Sequence, residues 1–188
     1  MSRLGSWSWA LLLASAIGLT ACGGSPSSSS TSASASVPST GPSSTGAGSS
    51  STIATIPTQD RSPVGTAGTA PTVVVPSGAP PTQLESADLI VGTGPLARAG
   101  DDVTVQYILA TYSSRKVIQS SWTSEPFQFT LGEGQVIPGW DRGVLGMRVG
   151  GRRELIIPPS LGYGAQSPGP GIAANDTLVF VIDLLKIG

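Results

Sequence analysis

The stretch Val136-Ile137-Pro138-Gly139-Trp140-Asp141-Arg142-Gly143-Val144-Leu145-Gly146-Met147-Arg148-Val149-Gly150 decides the fold. Ile137, Trp140, Val144 and Met147 recur at three- and four-residue intervals, while Asp141, Arg142 and Arg148 fall elsewhere, which predicts one short amphipathic helix. Pro138 suits its first turn, where a missing N–H costs nothing. Gly143 and Gly146 each weaken a helix by about 1 kcal/mol relative to Ala, so packing has to hold it. The flanking segments read as strands. Residues 102–109 alternate, with Val103, Val105, Tyr107 and Leu109 on one face and Thr104, Gln106 and Ile108 on the other. Residues 116–119, 127–131 and 153–157 predict three more strands. Residues 178–187, apolar on both faces, predict a fifth at the centre of the sheet. The expected fold class is α+β, an antiparallel β-sheet wrapped around one short α-helix.

Composition narrows the chemistry. The 188 residues carry a net charge of −1 and no histidine. The usual general base, Ser-His and Cys-His nucleophile systems and histidine-containing metal sites are therefore excluded. No basic cluster marks a nucleic-acid partner. Asp101-Asp102, Arg115-Lys116 and Arg152-Arg153 read as solvated charges, and Ser120-Ser121, with no base beside it, as a turn.

Beyond the opening stretch lie Arg153, Ile156-Ile157-Pro158-Pro159, Leu161-Gly162-Tyr163-Gly164, Ile172 and Thr177-Leu178-Val179-Phe180. Together these motifs resemble the signature of the FKBP-type peptidyl-prolyl cis/trans isomerases, from about residue 100 to residue 187. The resemblance implies an aromatic cup for a proline ring built from Tyr107, Phe127, Trp140, Tyr163 and Phe180, with Trp140 as its floor. It implies Val136, Ile137 and Ile172 as aliphatic walls. The Ile137 N–H and the Tyr163 hydroxyl would bond carbonyl oxygens of the bound chain. Ile118 and Gln119 stand in the substrate site where relatives usually carry Phe and Asp, which predicts reduced turnover and weaker macrolide binding. Leu161 in place of a common aromatic, and Ala173-Ala174 where many relatives have a proline pair, touch only the rim. The implied enzyme needs no cofactor or metal, and its partners are proline-containing exported polypeptides and macrolide inhibitors. A monomer is expected. The alternative is a proline-binding module of the same fold with weak or no turnover.

The N-terminus reads as an export signal over residues 1–21, with Arg3 followed by an apolar run too short for a comfortable membrane span of roughly 20 residues. Leu19-Thr20-Ala21-Cys22 resembles a bacterial lipobox, and Cys22 is the only cysteine. Lipidation at Cys22 would anchor the chain to the cell membrane on its extracytoplasmic side. Residues 23–82 contain only Asp60 and Arg61 as charged residues and are rich in Ser, Thr, Gly, Pro and Ala. That composition predicts a disordered tether over residues 22–82, with a reach on the order of 40–45 Å. Thr72-Val73-Val74-Val75, flanked by prolines, reads as extended linker. Residues 83–188 remain as the folded domain.

Overall fold

A computed structural model describes residues 53–188. The expected signal segment, Cys22 and the first part of the expected tether lie outside the described residues.

Eight elements carry the architecture: β1 (Ala54–Thr55), β2 (Glu85–Ile90), β3 (Asp102–Thr111), β4 (Val117–Ser120), β5 (Phe127–Thr130), α1 (Pro138–Gly143), β6 (Arg152–Ile157) and β7 (Leu178–Ile187). The sheet runs β1-β2-β6-β7-β3-β4. β3 is long enough to pair with β5 through its first half, Asp102 to Val105, and with β4 through its second. β7 lies between β6 and β3, the central place expected of a strand apolar on both faces. All pairs are antiparallel except β1 with β2. The sheet is therefore mixed, which corrects the expected antiparallel one.

Val103, Val105, Tyr107 and Leu109 of β3, Leu155 and Ile157 of β6, and Leu178, Phe180, Ile182 and Leu184 of β7 share the inner face and form the main core with α1. The helix is shorter than its apolar spacing predicts. It stops at Gly143, and the chain passes through Gly146 at φ 77° before Arg148 bridges to Leu96. Val144 and Met147 still reach the core from this turn. Gly139 and Gly143 press α1 onto β6 so closely that a Cβ at either would overlap Ile157 or Leu155.

Three further differences lie away from the main core. β2 escapes sequence reading because Glu85-Ser86-Ala87-Asp88-Leu89-Ile90 lacks a clean alternation. The disordered tether expected to reach Thr82 is corrected for residues 53–82. Ile56 is fully buried with Ala87, Tyr112, Ile156 and Val179, and Val73 and Val75 pack against this second cluster. Sequence composition missed this because a few apolar residues suffice when the sheet supplies the rest of the surface. The Arg152-Arg153 pair is not a solvated pair. Arg152 is 0% exposed and forms a bidentate pair with Asp183 (2.6 and 2.7 Å), while Arg153 bonds Asp88 and the carbonyls of Gly143 and Leu145 behind α1.

Candidate proline-binding site

β3 projects Tyr107, β5 Phe127, α1 Trp140 and β7 Phe180 into one cluster because each stands on the inner face of its element. Trp140 sits at the centre, with ring centroids 5.3 Å from Tyr107, 5.9 Å from Phe127 and 5.2 Å from Phe180, all near 80–85° edge-on. Such T-shaped contacts match the positive edge of one ring to the negative face of the next. Phe129, which sequence reading left out of the cup, completes it at 5.6 Å from Trp140 and 5.8 Å from Phe127. Its signal was present: Phe127 and Phe129 are two apart on a strand and share a face.

The rim is built from loops. Val136 is buried and Ile137, Tyr163 and Ile172 are half-buried against the core. The Asp141 carboxylate accepts from the Gly132 and Gly134 N–H groups at 2.9 and 3.1 Å, tying the turn before Val136 to α1. Ile137 is the N-cap, with no side-chain capping bond. Among the described residues neither its N–H nor the Tyr163 hydroxyl has a hydrogen-bond partner, so both are available to a ligand. Opposite, Ser121 accepts from the Tyr107 N–H at 2.8 Å and bonds Gln106, fixing the β4–β5 connection beside the cup. Ser121 opens the expected turn, but it is buried.

Gln119 pairs with Leu109, an inner-face residue, and directly opposed residues share a face, so Gln119 stands on the cup side of the sheet. No hydrogen bond holds its side chain among the described residues. Ile118 lies against the 167–173 loop, its side chain close enough to Gly171 that a Cβ there would stand 3.0 Å away. A shallow hollow of about 510 Å³ extends outward from Ile172 between Ser113 and this loop. The cup itself is closed at its base: Trp140 is 0% exposed and its indole N–H has no partner among the described residues.

Electrostatically the cup is neutral at physiological pH. Burial pushes the Tyr107 hydroxyl up to about 12, and burial together with neighbouring Tyr107 pushes that of Tyr163 to about 12. Both stay protonated donors. The arrangement is an apolar aromatic receptacle rimmed by two free donors, suited to a small apolar ring flanked by amide carbonyls. That is the chemistry of a peptidyl-proline binder.

The sequence profile of the FKBP-type peptidyl-prolyl cis-trans isomerases matches residues 94–185. The chain is 50% identical over 119 residues to an FK506-binding protein of Streptomyces anulatus, covering 62% of this chain and 96% of that one. It is 46% identical over 100 residues to the 39 kDa FK506-binding nuclear protein of Drosophila melanogaster, covering 53% of this chain and 28% of the insect protein. Among solved structures, AtFKBP13 superposes with a TM-score of 0.52 at 33% identity, over 58% of this chain and 96% of that one. FkpA from Escherichia coli superposes with 0.50 at 37%, over 56% and 48%. The chain belongs to the FKBP-type peptidyl-prolyl cis-trans isomerase family.

Proposed function

We propose that this isomerase domain turns over X-Pro bonds in polypeptides exported from the cytoplasm and so assists their folding. The observation that carries the reading is the converging aromatic cup of Tyr107, Phe127, Trp140 and Phe180 beside the Ile137 N–H and the Tyr163 hydroxyl, neither paired among the described residues. Amide rotation has a barrier of ~18–20 kcal/mol, and X-Pro exchange takes roughly tens to hundreds of seconds. No covalent bond has to break; the enzyme has to bind the twisted amide better than either planar form. Twisting removes resonance and much of the charge separation between oxygen and nitrogen, so a water-poor aromatic enclosure favours the twisted state. The Ile137 N–H and Tyr163 hydroxyl orient the flanking carbonyls. A gain on the order of 10⁵ requires about 7 kcal/mol. Because Trp140 has no exposed surface, a proline ring that rests on it has to part half-buried residues such as Phe127 of the cup and Tyr163 of the rim.

NMR exchange or a protease-coupled assay on an X-Pro peptide tests the reading. Acceleration at nanomolar protein is expected, and none at micromolar protein would sink it. A second reading, a proline-binding module with little turnover, is favoured by Gln119, which faces the cup as a neutral amide, and by Ile118 at its rim. The relatives named FK506-binding proteins supply the probe: Gln119→Asp is expected to raise both kcat/KM and macrolide affinity, and an unchanged pair of values would rule out a role for this position. Attachment through Cys22 belongs to the same proposal. Labelled fatty acid that enters the wild type and not Cys22→Ser is the expected result; equal labelling would refute it.

A further inference from the structure

Residues 53–76 cross the outer face of the sheet, upstream of the residues the family profile matches. Three kinds of contact hold them. β1 extends the sheet, and the Ile56 N–H donates to the Ser86 carbonyl at 3.0 Å. Ile56, Val73 and Val75 cover Ala87, Tyr112, Ile156 and Val179. Ser62 meets the buried Glu154 carboxylate twice, through its N–H at 2.8 Å and its hydroxyl at 2.5 Å, while the hydroxyl accepts from the Val74 N–H at 2.9 Å. One serine thus joins both limbs of the strap to β6. Two residues away, the Arg152 guanidinium donates to the carbonyls of Val64 and Thr69 at 3.0 and 2.7 Å.

A linker that merely lies on a sheet makes apolar contacts; this one also satisfies the hydrogen-bonding groups of two ionic side chains that are 0% exposed. β6 is gripped from both sides: Arg152, Glu154 and Ile156 face the strap, while Leu155 and Ile157 seat Gly143 and Gly139 of the Trp140 helix. We propose that residues 53–76 are a built-in brace of the isomerase unit, an intramolecular ligand that seals the outer face and holds β6 behind the cup. The cup-bearing unit therefore includes residues 53–76, upstream of the residues the family profile matches.

Limited trypsin digestion of the full chain tests this, because Arg61 is the only Lys or Arg between Arg3 and Arg98 and its scissile bond leads into Ser62. The wild type is expected to resist cleavage there. Ser62→Ala, which removes the hydroxyl joining the two limbs, is expected to be nicked faster by about 10-fold, whereas Ser62→Thr keeps the hydroxyl and stays resistant. Cleavage of the wild type as fast as Ser62→Ala overturns docking. Hydrogen exchange then tests bracing: the β6 amides are expected to exchange faster in Ser62→Ala, and unchanged protection there with an opened strap overturns it. Neither measurement depends on turnover, so failure here is distinct from failure of the isomerase assay.

Discussion

Trp140 concentrates the properties of the site in one residue. It is fully buried, touches four aromatic rings and, among the described residues, leaves its indole N–H unpaired. Trp140→Ala is expected to cost ~3–5 kcal/mol in chemical denaturation, because a large cavity opens where no neighbour can collapse. Tyr163 behaves differently. Among the described residues its hydroxyl has no hydrogen-bond partner, so Tyr163→Phe is expected to leave the denaturation midpoint unchanged while kcat/KM falls roughly 3–10-fold, the equivalent of one hydrogen bond to substrate. Neither cup hydroxyl ionises near neutrality, both lying at about 12, and the chain has no histidine. The kcat/KM profile is therefore expected to be flat from about pH 6 to pH 9. A bell-shaped profile in a steady-state titration would contradict this account of the cup.

At the scale of elements, β6 does most to separate what is seen from what was read. Arg152, Arg153 and Glu154 give it three consecutive charged residues, and sequence alone assigns the arginines to solvent. In the fold Arg152 and Glu154 are buried under the strap, the former paired with Asp183. Asp183→Ala strands that guanidinium and is expected to lower stability by ~3–5 kcal/mol in urea unfolding. Glu154 gives a test with a defined sign. Burial, only partly countered by the Ser62 hydrogen bonds and by Arg61, raises its carboxyl above the ordinary carboxylate range. The folded state then holds the proton more tightly than the unfolded chain, so this group's stabilisation is full below the unfolded value and is lost as pH rises through the folded one. Glu154→Gln mimics the protonated form. Its melting temperature is expected to gain on the wild type as pH rises through that window, and a constant difference would refute the assignment.

Taken as one molecule, the chain wraps its central strand on every side. β7 lies between β6 and β3, α1 and the cup cover its inner face, and the strap covers Val179 on the outer face. Amides of Val179, Phe180, Val181 and Ile182 are accordingly expected to exchange only through global unfolding, whereas that of Ile56 opens sub-globally. Equal rates in native-state hydrogen exchange would count against this order. The α+β class, β3 to β7 and the existence of α1 were legible because period-2 and period-3.6 patterns report which face each element buries, whereas the aromatic members of the cup were named from the family resemblance. Phe129 was legible by the same rule and was passed over. β2, the parallel β1, the strap and the buried Arg152–Asp183 pair were not. Each depends on partners 30 to more than 90 residues away, as in Ser62 with Glu154 or Arg152 with Asp183. Local pattern determined which surfaces had to be buried; only the tertiary structure decided what covered them, because burial of a charge or of a short apolar run becomes favourable once a distant segment supplies its hydrogen bonds and contacts.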